Sequence, residues 1–143
     1  MNIRKPTDYT TMVAVLDALM AAQLPQMELY CEIGRVVSGR SEKGAAVAAS
    51  EYLQAAYPTA EGFSPRNVRR MRAFYAAYEE SPEIIRLAMN LGWTRNVAIL
   101  ERCGSSEERA WYIRAVLHFG WKKAKLLAAI ESQAWLHSSL DEQ

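Results

Sequence analysis

The stretch Gly62-Phe63-Ser64-Pro65-Arg66-Asn67-Val68-Arg69-Arg70-Met71-Arg72-Ala73-Phe74-Tyr75 decides how this chain is read. Ser64 can cap a helix, and Pro65 suits the first helical position, where a missing N–H costs nothing. At about 100° per residue, Val68, Met71, Phe74, Tyr75 and Tyr78 fall within an arc about 120° wide, which predicts a helix to Tyr78 with one buried face. Arg66, Arg69 and Arg70 lie on the opposite side with Ala73 and Ala77, and Arg72 flanks them. A helix of this kind needs apolar neighbours, so the fold class depends on what surrounds it.

The neighbours also read as helices. Toward the N-terminus, helical spacing is found over Tyr9 to Ala22, over Met27 to Val37 until Ser38-Gly39, and over an alanine-rich run from Lys43 to Tyr57. Pro58 ends that run, because the residue before a proline is pushed out of the helical region. Toward the C-terminus, Ser81-Pro82 opens a short helix through Met89, and Thr94 caps another that ends before Gly104. Ser105 and Glu108 have capping-box spacing for a helix to Phe119, with Gly120 as its stop. A last helix is expected from Lys122 to His137. The expected fold is therefore all-α, a compact multi-helix bundle. Gly62-Phe63, Gly92-Trp93 and Gly120-Trp121 each place a glycine and an aromatic just before a helix, which reads as one capping solution used three times.

The 143 residues point to a single domain, 1–143, with a nucleic-acid-binding unit over about 41–78 and C-terminal helices over 82–138. Half of the residues are hydrophobic and 23% are charged, a balance that excludes wholesale disorder. The net charge of +1 hides a strong segregation. Residues 62–78 carry four arginines and no acid, and residues 109–130 carry Arg109, Arg114, Lys122, Lys123 and Lys125, again with no acid. Acidic stretches elsewhere offset both blocks.

Each basic block suggests an anion. Guanidinium groups near a helix start, followed by small alanines, suit close approach to a phosphate backbone or insertion into a groove. The alanine-rich helix, the Pro58–Phe63 connection and the arginine helix together resemble a helix-turn-helix, although the connection is longer than the usual three or four residues. Ser64 and Asn67 are candidates for hydrogen bonds to phosphate or base edges. Lys122, Lys123 and Lys125 crowd the first turn of a helix, where the macrodipole favours acids, so they are candidate phosphate contacts. The competing reading is a solvated basic face whose arginines pair with Glu51, Glu61, Glu79 or Glu80.

Other chemistry lacks support. Cys31 and Cys103 stand far apart, with no CxxC, and read as buried free thiols of a cytoplasmic protein. His118 and His137 have no carboxylate or cysteine at metal-ligand spacing. No GxSxG, P-loop or GxGxxG occurs, so neither a catalytic residue, a metal nor a cofactor is expected. The stretch Thr11 to Ala22 is interrupted by Asp17, which fits an amphipathic helix better than a signal peptide, and no membrane span is expected. Trp93, Trp111, Trp121 and Trp135 are expected as core anchors, the alternative being an exposed stacking platform at one of them.

Beyond these properties, the chain resembles the N-terminal helical domain of the bacterial YhcG-like family, which is grouped with PDDEXK-type nucleases. The matching pieces are Leu29-Tyr30-Cys31-Glu32-Ile33-Gly34-Arg35, the Gly62–Tyr75 stretch, Leu91-Gly92-Trp93-Thr94, Glu107-Glu108-Arg109-Ala110-Trp111-Tyr112-Ile113 and Gly120-Trp121, in the family's order. The resemblance implies a helix-turn-helix-like DNA-binding part that usually precedes a nuclease domain. No acidic residue stands two before a lysine, so the nuclease metal site is missing from these residues. Cys31 replaces a frequent tryptophan, and Arg95 and Asn96 stand where the family often has a histidine.

The function expected from the sequence is a non-enzymatic protein that binds double-stranded DNA through Arg66, Asn67, Arg69, Arg70 and Arg72. One short helical unit binds weakly alone, so a homodimer reading two half-sites is the expected assembly. The alternative is a protein-interaction module, an adaptor or inhibitor of a nuclease or a homo-oligomerisation domain, without nucleic-acid contact.

Overall fold

Helix start and stop signals govern the architecture. A computed structural model describes residues 7–140, and all regular secondary structure among them is helical. In chain order the helices are α1 (Thr10–Ala21), α2 (Gln26–Ser38), α3 (Ala45–Ala56), α4 (Pro65–Tyr78), α5 (Pro82–Ala88), α6 (Trp93–Arg102), α7 (Ser106–Phe119), α8 (Lys123–Glu131) and α9 (Ala134–His137). The caps follow the local chemistry. Ser64 Oγ accepts from the Asn67 N–H at 3.1 Å and Ser105 Oγ accepts from the Glu108 N–H at 3.1 Å. Glu108 in turn reaches the Gly104 N–H at 3.4 Å rather than that of the cap residue.

Two expectations change. Helix α6 starts at Trp93, with Gly92 rather than Thr94 at the cap position. The single C-terminal helix expected from Lys122 to His137 is broken, because Gln133 takes a left-handed conformation at φ 56°. The cause is tertiary. The Tyr112 hydroxyl donates to the Ala129 carbonyl at 3.2 Å and accepts from the Trp135 N–H at 3.4 Å, so a side chain from α7 joins the two sides of the break.

The helices form two compact units, Met1–Arg72 and Ala73–Gln143. In the first, α1 packs on α2 and α3, and α2 on α3. Its core holds Met12, Leu16, Ile33, Val37, Leu53, Phe63, Val68 and Met71. Ala45, Ala46 and Ala49 are buried on α3, where small side chains let backbones come close. Asp17 on α1 accepts from both Tyr52 and Tyr57 through one oxygen, at 2.6 and 2.7 Å. In the second unit, α7 contacts α5, α6, α8 and α9, and Phe74, Leu91, Ile99, Tyr112, Ile113 and Leu126 are buried. None of the four tryptophans is buried; each is half-buried at the edge of this core, contrary to the expectation of core anchors. Their wide rings fill shallow positions that smaller apolar residues leave at the surface.

Candidate nucleic-acid interface

The start of α4 is held by a small lock. Gly62 has φ +92°, and a methyl built there would overlap the Tyr30 hydroxyl of α2. Phe63 is buried with its ring edge-on to Tyr30, 6.3 Å between centroids, and its carbonyl accepts from the buried Ser50 Oγ at 2.6 Å. The Asn67 side-chain amide donates to the Gly62 carbonyl at 2.6 Å. Together these bonds leave the connection into α4 little freedom. The glycines of the three Gly-aromatic pairs, Gly62, Gly92 and Gly120, all have positive φ, which explains why glycine occupies each of those positions.

The candidate residues then separate by role. Arg66 and Arg69 are exposed, and among the described residues neither takes part in a hydrogen bond or ion pair. Arg70 shares their face and is half-buried. Arg72 instead donates to the Arg40 carbonyl at 2.8 Å and to the Glu42 carbonyl at 3.4 Å, bracing the connection between α2 and α3. That connection is closed further by Arg40, which pairs with Glu42 at 2.8 Å and stands 4.9 Å from the Tyr9 ring centroid. The Glu42 carboxyl is held below its ordinary range by the bond from Arg40. Ser64 serves as a cap, and Asn67 as a strut of the turn. The first unit therefore brings Arg66, Arg69 and Arg70 together on one surface, and gives Ser64, Asn67 and Arg72 structural work.

The three lysines belong to the second unit. Lys122 is the cap residue of α8, with no side-chain cap bond, and Lys122, Lys123 and Lys125 are exposed. The Lys125 ammonium stands 6.0 Å from the Trp121 ring centroid. Arg95, noted in the sequence only as a departure from the resembled family and given no role, fixes this segment. Its Nη1 donates to the Trp121 carbonyl at 2.9 Å and its Nε to the Leu91 carbonyl at 2.7 Å. Its neighbour Asn96 is buried and donates to the carbonyls of Ala88 and Gly92 at 2.8 and 2.9 Å. Arg95 and Asn96 are thus side chains that tie backbone together.

Cys31 and Cys103 are buried free thiols, and burial pushes both up, Cys103 to about 12, which makes them poor nucleophiles. No group of three or more metal-ligating side chains occurs among the described residues. No described helix is long and apolar enough to cross a membrane.

The class defined by this fold is an all-helical domain that carries arginines on the exposed face of one helix. The family follows from comparison: the model of the DUF1016 N-terminal domain matches residues 13–137, and the chain belongs to that family, the YhcG-like N-terminal domain. No match was found among curated proteins or among solved structures.

Proposed function

We propose that this chain is a non-enzymatic DNA-binding domain whose contact surface is the start of α4. The observation that carries the reading is that Arg66 and Arg69 lie exposed side by side on a helix whose start is locked, with no internal carboxylate to neutralise them. Side chains held this way lose little further backbone freedom on binding phosphates. Arg70 extends the same face, and a second copy of the chain would double the number of contacts on a duplex.

The test is fluorescence anisotropy with a labelled duplex across a salt series. Three phosphate contacts give a log–log slope of about −2.7, and Arg66→Ala with Arg69→Ala lowers its magnitude by about 2. Absence of binding at about 50 mM salt, or an unchanged slope in the double variant, overturns the reading.

A second reading has an observation of its own. Leu117 and Leu136 are 40% and 57% exposed, the large apolar side chains most open to solvent among the described residues. Such residues suit a protein partner or a second copy, and sedimentation of wild type against Leu136→Ser tests that reading directly.

A further inference from the structure

We propose that the cavity walled by Trp111, Phe119 and Trp121 in the second unit binds an unstacked nucleotide, its base against the rings and its phosphate beside Lys125, with Lys122 at the start of the same helix adding positive charge. The proposal is independent of duplex binding by α4. The cavity has a volume of about 520 Å³, within the range of small-ligand sites. Phe119 and Trp121 are stacked, with centroids 5.2 Å apart and planes 19° from parallel. Trp111 stands 6.3 Å from Trp121 at 53°. All three rings are half-buried, so each keeps part of its surface open.

The electrostatics match a phosphate beside those rings. Lys125 lines the cavity and its ammonium lies over the Trp121 ring, which shows that this π surface already accepts a cation. Lys122 and Lys123 stand three and two positions before Lys125, outside the cavity lining, and no acidic residue occurs from Arg109 to Ile130. Among the described residues, the N–H groups of Lys123, Ala124 and Lys125 in the first turn of α8 have no capping partner. The Arg95 bond to the Trp121 carbonyl holds the wall in place without a ligand. Ser132, Ser138 and Ser139 complete the lining with small polar residues, the Ser132 hydroxyl donating to the Ala129 carbonyl at 3.1 Å. An acidic peptide would match the charge alone. A nucleotide matches both the charge and the flat apolar walls, as in stacking platforms for unpaired bases. The base can come from a free nucleotide or from an unpaired stretch of a strand.

Tryptophan emission reads the site, since two of the four tryptophans wall it. The full chain is titrated with thymidine monophosphate, single-stranded hexathymidylate, an abasic hexamer of the same charge, and an acidic hexapeptide. Quenching by the monophosphate identifies a free nucleotide as sufficient, and quenching by the hexamer alone identifies an unpaired stretch; either supports the proposal. Lys122→Gln with Lys125→Gln weakens the response about tenfold, and Trp121→Leu abolishes it. Should Trp121→Leu fail to fold, the exposed lysine pair decides. No quenching by either nucleotide probe at millimolar concentration, equal quenching by the abasic strand or the peptide, or unchanged affinity in the lysine variant overturns the proposal. Duplex anisotropy at low salt tests α4 separately, so each reading can fail without the other.

Discussion

Tyr52 and Asp17 face each other across α3 and α1, the phenol donating to one carboxylate oxygen at 2.6 Å while Tyr57 donates to the same oxygen. The bond from Tyr52 lowers the carboxyl of Asp17 below its ordinary value, with Tyr57 adding to the effect, and it raises the Tyr52 phenol to about 12. A depressed acid stabilises the fold above its unfolded value of 3.8 and loses that contribution as pH falls through the folded value. A raised phenol stabilises below 10.0 and loses its contribution as pH rises toward about 12. The thermal midpoint should therefore drop at both ends, and Asp17→Asn should flatten the acid limb. Melting curves from pH 2 to 12 read both limbs.

Gly62→Ala is expected to destabilise the chain by about 2–4 kcal/mol, from positive-φ strain and from overlap with Tyr30. Tyr30→Phe in that background should recover only the overlap, because the strain belongs to the backbone. Urea unfolding of the two single variants and the double variant separates the parts.

Arg72→Ala is expected to cost about 1–3 kcal/mol, since it frees two backbone carbonyls from a charged donor. Arg66→Ala should change stability by less than about 0.5 kcal/mol, as expected of an exposed side chain without partners. Equal effects of the two substitutions in urea would contradict the division of labour along this helix.

Tyr112→Phe is expected to cost about 1–2 kcal/mol and to loosen α9, by removing the hydroxyl that joins Ala129 to Trp135. Hydrogen exchange should speed at the Trp135 amide while the centre of α7 stays protected.

The helices were legible because their boundaries carry local signals, such as Pro65, Pro82, Gly120 and the Ser105 cap. The break at Gln133 was not, because no glycine or proline marks it and its cause is a hydroxyl 21 positions earlier. On the arginine surface, spacing alone placed Arg66, Arg69 and Arg70 on one face. It assigned Asn67 and Arg72 to DNA as well, since their partners, Gly62 and the Arg40–Glu42 connection, are set by tertiary packing. The Trp121 cavity had a sequence signal, in Phe119 and Trp121 flanking a helix-stopping glycine within an acid-free block, but spacing could not say which of the four tryptophans, if any, was a stacking platform and which were core.

Tyr30 acts as a gauge block under the turn that feeds the arginine helix. Its phenol fills the space that any side chain at position 62 would claim, leaving a tolerance of less than one carbon atom. The aim of the Arg66 and Arg69 guanidinium groups is thereby calibrated from α2, by a ring more than thirty positions upstream.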